Sequence, residues 1–341
     1  MANGKTTIYD IAKRLQVTPS TVSRALSNHP RISSKTKKAV QEMASQLNYR
    51  HNNIAAALRS GHTHLLGVIL PKVNRHFFSS VVKGIEQVAR EAGYNVMITQ
   101  SYDDTATERS NISAMLQSQV DGIIASIATE TTEFAHFQRV INENIPLVLF
   151  DRVMEISDVS TVVIDDYQGA YKAVSHLIGQ GCRRIAHLTG EPHLNIYKYR
   201  LRGYRDALED HGLPYLEEMV IKSQVQLEDG RAGMEQLLAL AERPDAVFAS
   251  SDYAAMGAMQ VLKERNLKIP EEMALVGFMN EPFTAFVEPG LTSVDQMSEE
   301  MGRFAAEIFL EQVQAKGKAF VPRKTVLTPE LIIRGSSRKA Q

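Results

Sequence analysis

Nine short apolar runs alternate with longer amphipathic segments along most of the chain, and this alternation restricts the fold more than any other feature. Each run is short enough for a buried strand, whereas the segments between them have helical periodicity. Alternation over this length predicts an α/β fold of doubly wound parallel sheets. The runs cover residues 65–71, 95–101, 122–127, 147–150, 161–165, 184–190, 219–223, 246–251 and 273–278.

Nine or more strands are too many for a comfortable single sheet, so the pattern predicts two lobes. Ligands of doubly wound sheets bind at the carboxyl ends of the strands, and two lobes would line one cleft with those ends. The expected strand ends are residues 71–78, 100–104, 126–129, 151–152, 190–202, 250–253 and 278–282.

Motifs of common enzymes are absent from the sequence. It contains no GxGxxG, GxxxxGK[ST], HExxH or GxSxG pattern. One cysteine, Cys182, allows no internal disulfide and no cysteine-built zinc site. We therefore expect a protein without catalytic residues, cofactor or metal, whose cleft senses a small molecule.

Charge is distributed unevenly between the two ends of the chain. The first 62 residues hold ten Lys or Arg and two acidic residues, whereas the whole chain has a net charge of −1. A small basic unit fused to an acidic body suggests binding to a polyanion. Nucleic acid fits better than a membrane, because the sequence has no basic helix with bulky apolar anchors and no run of about 20 apolar residues. Without an apolar leader at the N-terminus, we expect a cytoplasmic protein.

Three short helices are predicted within residues 1–50. The first two have apolar faces around Ile11 and Val22, and Ser33 or Ser34 can cap the third. Only LQVTP separates the first two helices, which predicts a helix-turn-helix whose second helix enters the major groove. That helix exposes no acidic residue, although a merely solvated face usually mixes Glu with Lys. Its candidate DNA contacts are Thr18, Pro19, Ser20, Thr21, Ser23 and Arg24.

The segment HNNIAAALRSGHTH links the basic unit to the body. Asn52 or Asn53 can cap a single turn that ends near Leu58, but so short a helix needs a partner to fold, and DNA is the expected one. Leu58 is then a candidate wedge, and Ala55 and Ala56 are small enough for two copies to pack together. The alternative is a flexible linker.

These residues resemble the LacI/GalR family of bacterial repressors. IYDIAKRLQVTPSTVSRALSN and the following RISSKTKKAVQEMASQLNYRHNNIAAALRSG look like the family's DNA-binding head, which is a specific motif. LLGVILP, VDGIIAS and LRGYRDAL are similar to its core, a pattern shared with periplasmic sugar-binding proteins. The resemblance implies a helix-turn-helix domain over 1–51, a hinge helix and linker over 52–63, and an effector-binding and dimerisation core over 64–341.

Roles for individual head residues follow from the resemblance. Pro19, Ser20 and Arg24 occupy the positions that read bases, and Pro19–Ser20 differs from the pairs of the best-known members, which leaves the operator sequence open. Residues 53–58 resemble the hinge helix, with Leu58 entering the minor groove. Positions that contact or support the DNA backbone are Ile8, Tyr9, Thr21, Ser23, Asn28, Ser33, Thr36 and Tyr49.

The resemblance also places effector contacts in the core. Arg200 is the strongest candidate, because a guanidinium can hold sugar hydroxyls or a carboxylate. Met279 stands where sugar-sensing members have an Asp, so either Asn280 substitutes for it or the ligand is less polar. A purine, a nucleoside or a partner protein as co-effector therefore stays an alternative to a sugar. The other matching positions are Phe77, Phe78, Asp151, Ser251 and Gln296.

The same pattern implies that the chain crosses between the lobes at about 162, 292 and 322. The N-terminal lobe would hold 64–162 and 293–321, and the C-terminal lobe 163–292 and 322–334. The tail lacks a leucine heptad, which favours a homodimer over a tetramer. We expect a repressor that binds pseudo-palindromic double-stranded operator DNA in the nucleoid and responds to an effector. The competing classes are a periplasmic-type binding protein and a sugar-processing enzyme.

Overall fold

The computed structural model describes residues 6–49, 62–154, 158–315 and 320–338. Contacts divide the chain into two units, Met1–Thr63 and His64–Gln341, which we call the head and the core. Among the described residues, no helix combines the length and the apolar character that a membrane span requires.

The head contains three helices, α1 (Ile8–Leu15), α2 (Pro19–Leu26) and α3 (Ser34–Gln46). The Thr18 hydroxyl caps α2 by accepting the N–H of Thr21 at 3.2 Å, and Pro19 occupies the first helical position. Gln16 adopts a left-handed conformation at the end of α1, which turns the chain sharply into α2. The helices bury one apolar cluster of Ile11, Ala12, Val22, Ala25, Val40 and Ala44.

The core alternates strands and helices throughout. Its strands are β1 (Leu65–Leu70), β2 (Asn95–Gln100), β3 (Gly122–Ala125), β4 (Leu147–Phe150), β5 (Ser160–Ile164), β6 (Ile185–Thr189), β7 (Val220–Lys222), β8 (Ala246–Ala249), β9 (Ala274–Met279), β10 (Thr292–Asp295), β11 (Lys324–Leu327) and β12 (Glu330–Ile332). Its helices are α4 (His76–Glu91), α5 (Thr105–Gln117), α6 (Ala135–Asn142), α7 (Asp166–Gly179), α8 (Asn195–Asp210), α9 (Leu227–Leu238), α10 (Asp252–Glu264) and α11 (Ser298–Gln314).

Two six-stranded sheets form the two lobes of the core. The N-lobe sheet has the order β11-β5-β4-β3-β1-β2, and the C-lobe sheet has the order β12-β10-β9-β8-β6-β7. All neighbouring strands are parallel except β10 and β12, which pair antiparallel. Central strands such as β3, β4 and β8 are buried along their full length, because helices cover both faces of each sheet. The predicted doubly wound architecture is confirmed.

The predicted lobe crossings need correction, because each one comes a few residues too early. β5 continues to Ile164 in the N-lobe sheet, and β10 pairs with β9 in the C-lobe sheet, so the second crossing follows Asp295. β11 pairs with β5 through Lys324 and Thr161, which places 324–327 in the N-lobe. β10 and β11 are too short and too polar to stand out as apolar runs, and only their pairing assigns them to a sheet.

Helices α4 and α11 of the N-lobe approach each other at two glycines. A Cβ atom on Gly84 would lie 2.1 Å from the Glu299 carbonyl oxygen, and one on Gly302 would lie 2.0 Å from that of Val81. Only glycine permits this separation, because backbone atoms stand where a side chain would begin. The contact fixes α4, whose first turn carries Phe77 and Phe78.

Gly302→Ala is expected to destabilise the core by about 1–3 kcal/mol, because the added methyl group forces α4 and α11 apart. Denaturant unfolding followed by circular dichroism measures the change. Gly179→Ala is the matched control, since its methyl group would meet no atom within 4 Å at the end of α7. Equal stability of the two variants would contradict the close helix contact.

Candidate functional site

The outer face of α2 presents the side chains that the sequence predicts for base contacts. Ser20 and Arg24 are exposed and lie one helical turn apart, so they point in the same direction. The Thr18 hydroxyl lies 2.8 Å from that of Ser20 and 2.9 Å from that of Thr21, which links the three groups at the start of the helix. Val22 is fully buried on the opposite face.

The other predicted head contacts divide into exposed and supporting residues. Tyr9 is 69% exposed, whereas Ile8 and Tyr49 pack against the head's apolar cluster. Ser33 caps α3 with a hydroxyl that also lies 2.9 Å from the Thr36 hydroxyl. Pro19, Thr21 and Ser23 are half-buried, and Asn28 is exposed with a left-handed backbone. The predicted hinge residues lie outside the described residues; they are Asn53, Ala55, Ala56 and Leu58.

Positive charge covers the described part of the head. Residues 6–49 hold seven Lys or Arg and two acidic residues, and all seven basic side chains are exposed or half-buried. Such a surface attracts the phosphate backbone of DNA and makes binding sensitive to salt. The hydroxyls and Arg24 on α2 supply donors suited to base edges.

Arg24→Ala is expected to weaken binding to the specific DNA site by about 1–3 kcal/mol, because a bidentate guanine contact has that value. Fluorescence anisotropy with a specific DNA duplex, selected from genomic fragments by its binding to the protein, and with random DNA measures both affinities. Lys13→Ala, on the exposed side of α1, is the control. It should weaken binding to the specific DNA and to random DNA by the same factor. An equal loss on both DNAs for Arg24→Ala would show that this residue contacts only phosphate.

A cavity lies between the two lobes, at the carboxyl ends of their strands. The space between its walls, including the part open to solvent, is about 560 Å³. Five of the eight predicted effector contacts line it; they are Phe77, Phe78, Asp151, Ser251 and Met279. Its remaining lining residues are Pro71, Lys72, Arg75, Asp103, Arg152, Ile196, Tyr197, Val225, Gln226 and Tyr253.

Aromatic rings form much of the cavity wall. Phe77 and Phe78 meet edge to face with their centroids 5.0 Å apart, and Tyr197 and Tyr253 line the wall contributed by the C-lobe. Phe77 and Phe78 also belong to the apolar core of the N-lobe, so they support the wall as well as forming it. Flat aromatic faces suit the apolar face of a sugar ring or a base.

Asp151 is the predicted contact with the most constrained environment. It directly follows β4 with a φ of 58°, and its side chain is buried. Burial raises the pKa of its carboxyl group, although the guanidinium groups of Arg152 and Arg200 oppose this change. Met279, with a φ of 118°, is a second strained residue in the lining. Backbone strain of this kind is concentrated at functional sites in proteins.

Arg200 does not line the cavity, contrary to its prediction as the main ligand contact. Its side chain is completely buried, and Nε donates to Asp166 Oδ1 at 2.8 Å while Nη1 donates to the Ser250 carbonyl at 2.8 Å. The guanidinium group also stacks 3.7 Å from the centroid of Phe278. Burial raises the pKa of Asp166 to about 7 despite this ion pair. Arg200 therefore belongs to the interior of the C-lobe, whereas its neighbour Arg202 is exposed.

Asn280 and Gln296 do not line the cavity either. The Asn280 amide nitrogen donates to Asp295 at 2.7 Å, and its oxygen accepts from Arg334 at 2.8 Å, so its side chain cannot replace an acid at position 279. Gln296 is buried next to the second lobe crossing, and its amide forms no hydrogen bond with the described residues.

Asp252 is buried at the start of α10. Ser251 caps α10, and Asp252 is the first residue of that helix. Its carboxylate accepts the Ser293 hydroxyl at 2.6 Å and the N–H of Glu281 at 2.8 Å. Burial raises the pKa of Asp252 to about 7. This group fixes the loop that follows Met279.

Asp103 connects the basic side chains of the N-lobe wall. It forms an ion pair with Lys72 at 3.1 Å and another with Arg152, and it accepts the Thr129 hydroxyl at 2.8 Å. Burial alone would raise the pKa of Asp103, but Arg152, Thr129 and Lys72 outweigh it and hold the pKa well below its usual range. Asp103 is therefore negatively charged near neutral pH.

Several contacts join the lobes around the cavity. Arg75 of the N-lobe donates to the Gln226 side-chain oxygen and stacks 3.7 Å from the Tyr253 ring centroid. Asn195 of the C-lobe donates to the Asp151 carbonyl and accepts the N–H of Val153, both at 2.9 Å. These contacts connect the two lobes beside the cavity.

Family models match both units of the chain. The model described as "Bacterial regulatory proteins, lacI family" matches residues 7–52, and "Periplasmic binding proteins and sugar binding domain of LacI family" matches residues 63–334. The chain belongs to the LacI family. Its relatives are transcriptional regulators, which confirms the expectation that it is not an enzyme.

Individual LacI-family proteins resemble this chain over nearly its full length. The transcriptional regulator DegA of Bacillus subtilis is 33% identical over 98% of both chains. The repressor CytR of Escherichia coli is 32% identical over 97% of this chain and 96% of its own. The structure of a complex of the regulator CelR with cellobiose is 28% identical, with a TM-score of 0.75 over 97% of this chain and 99% of that one. The Lac repressor dimer on operator DNA, 22% identical with a TM-score of 0.86 over 98% and 99% of the two chains, has the same fold.

Sequence reasoning missed most of the charged lining of this LacI-family cavity. Lys72, Arg75, Asp103 and Arg152 lie within strand ends that the alternation had marked, but no motif singles them out. Gln226 follows β7, whose carboxyl end was not among the expected ones. The rule that ligands bind at strand ends was the available signal for all five residues.

Proposed function

We propose that this protein is a homodimeric repressor whose affinity for a pseudo-palindromic operator is set by a carbohydrate bound between the lobes. It would act in the cytoplasm, on DNA of the nucleoid. The main support is the cavity itself, in which one buried carboxyl group, Asp151, is surrounded by aromatic rings and hydrogen-bonding side chains. Sugar hydroxyls both donate and accept, and flat aromatic walls match the apolar face of the ring.

Similar proteins support a sugar rather than another ligand. The CelR structure contains cellobiose, and the ribose operon repressor of Haemophilus influenzae is 28% identical over 97% of this chain. Methionine stands at position 279, where sugar-sensing members have an Asp. Asp151 and Ser251 supply polar groups on the two walls of the cavity instead. We therefore place the polar contacts to the sugar on these two residues.

Sugar binding would be coupled to operator binding through a change in the angle between the lobes. Three chain crossings connect them, and Arg75 and Asn195 form contacts between them. A ligand that binds one lobe arrangement more tightly than the other shifts the population toward it. In a dimer, this change would alter the distance between the two hinge segments over residues 52–63 and so the probability that they dock in the minor groove.

A dimer fits the exposed edge of the N-lobe sheet. β2 is the edge strand, and its Ile98 is 45% exposed, as is Val73 in the loop after β1. An exposed apolar edge of this kind is commonly covered by a partner. A second copy of the chain would also provide the second head that a pseudo-palindromic operator requires.

Asp151→Asn is expected to weaken sugar binding about tenfold to hundredfold, because the amide replaces one acceptor oxygen of the carboxyl group with a donor, while Asn tolerates the left-handed backbone at this position. A thermal-shift screen of sugars, sugar phosphates, nucleosides and purines identifies the ligand, and isothermal titration calorimetry measures its affinity. Asp158→Asn, at an exposed position, is the control and should keep full affinity. Stabilisation by purines or nucleosides alone would contradict the carbohydrate proposal.

A further inference from the structure

Positive charge exceeds negative charge in the lining of the cavity. Lys72, Arg75 and Arg152 face it, together with the two acids Asp103 and Asp151. Asp103 is ionised and contacts both Lys72 and Arg152, so one carboxylate is shared by two cations. Burial raises the pKa of Asp151, and the guanidinium groups of Arg152 and Arg200 oppose this change. The lining has at least one basic group that no acid of the lining compensates.

Arg75 is the least compensated of these cations. Its guanidinium group donates to the side-chain oxygen of Gln226 and stacks on Tyr253, and both of these partners are neutral. Within the described parts of the core, no ion pair joins Arg75 to a carboxylate. Glu281 interacts with Arg75 electrostatically without forming an ion pair among the described residues, and burial raises the pKa of that acid. An anionic ligand would give Arg75 a stronger acceptor than an amide oxygen, because charge-assisted hydrogen bonds are about twice as strong as neutral ones.

Arg152 also has a hydrogen-bond donor without a partner among the described residues. Its Nη1 donates to Asp103 and, at 2.9 Å, to the Thr129 hydroxyl. Its Nε is buried and forms no hydrogen bond with the described residues. Guanidinium groups and ammonium groups only donate hydrogen bonds. A ligand group in this part of the cavity would therefore have to accept them.

We infer that the ligand is an acidic carbohydrate, whose carboxylate or phosphate group binds to Lys72, Arg75 and Arg152. This inference rests on the proposed function and specifies its ligand class. A neutral sugar would satisfy Asp151 and the aromatic walls but would give Arg75 no charged partner and would leave Lys72 and Arg152 sharing one carboxylate. The sugar ring would lie against Phe77 and Phe78, and the acidic group would lie on the side of Lys72, whose side chain is 36% exposed.

Matched pairs of neutral and acidic sugars test this inference on the full-length protein. Isothermal titration calorimetry compares galactose with galacturonate, and glucose with glucuronate and glucose 6-phosphate, while inorganic phosphate is titrated alone. We expect an acidic member to bind at least about tenfold more tightly than its neutral counterpart. Preference for a uronate identifies a carboxylate ligand, and preference for glucose 6-phosphate identifies a phosphate ligand.

Arg75→Gln separates recognition of the anion from the bridge that Arg75 forms between the lobes. The variant should lose about tenfold to hundredfold in affinity for the acidic sugar and little for its neutral counterpart. A purely structural role would weaken both members by the same factor and would overturn the inference. Arg202→Gln, on the exposed face of α8 and outside the cavity, is the matched control and should change neither affinity.

The possible outcomes distinguish this inference from the proposed function. If neutral sugars bind as tightly as acidic ones, the acidic-ligand inference is wrong and the carbohydrate proposal stands. If no sugar of either kind binds, both are wrong. Binding of inorganic phosphate alone, with no gain from an attached sugar, would also overturn the inference.

Discussion

The central constraint on this molecule is that two parallel sheets direct the carboxyl ends of their strands into one cleft. Loops after β1, β2 and β4 form one wall, and loops after β6, β7, β8 and β9 form the other. Parallel strands leave their loops at one edge, so residues distant in sequence meet without any long excursion of the chain. The close contact of α4 and α11 at Gly84 and Gly302 then holds the N-lobe wall in place.

Electrostatic pairing distinguishes the interior of the C-lobe from the cavity surface. Arg200 and Asp166 form a buried ion pair behind the wall, and the Phe278 ring stacks on the Arg200 guanidinium group. Removing one partner of such a pair is costly because the other charge stays buried. On the cavity side, Asp103 holds Lys72 and Arg152 in position, whereas Arg75 contacts the neutral side chains of Gln226 and Tyr253. The Arg200–Asp166 pair is part of the C-lobe interior, whereas the positive charge of Arg75 is available to a ligand in the cavity.

Local sequence signals predicted the head and most of the sheets correctly. Thr18, Pro19 and Ser33 are helix-start signals that act over a few residues, and the structure places them at the helix starts. Each of the nine apolar runs contains a strand. β10, β11 and β12 were not predicted, because each mixes polar with apolar residues over three or four positions and is assigned to a sheet only by its pairing.

Site residues were harder to predict than the fold, for a physical reason. Whether an arginine binds a ligand or an internal acid depends on which side chains surround it in three dimensions, and Arg200 meets Asp166 from the start of α7. Asn280 similarly depends on Arg334, 54 residues away in sequence. Resemblance to a family assigns positions, whereas the local partners decide what each position does in this chain.

The most direct test of the account is the affinity of the full-length protein for its sugar with and without saturating operator DNA. Isothermal titration calorimetry under identical salt conditions gives both dissociation constants. Thermodynamic linkage requires their ratio to equal the factor by which the sugar changes operator affinity. We predict a ratio of roughly 5–150, in the range typical of allosteric coupling. Equal dissociation constants would show that the cleft and the head are not coupled and would contradict the account.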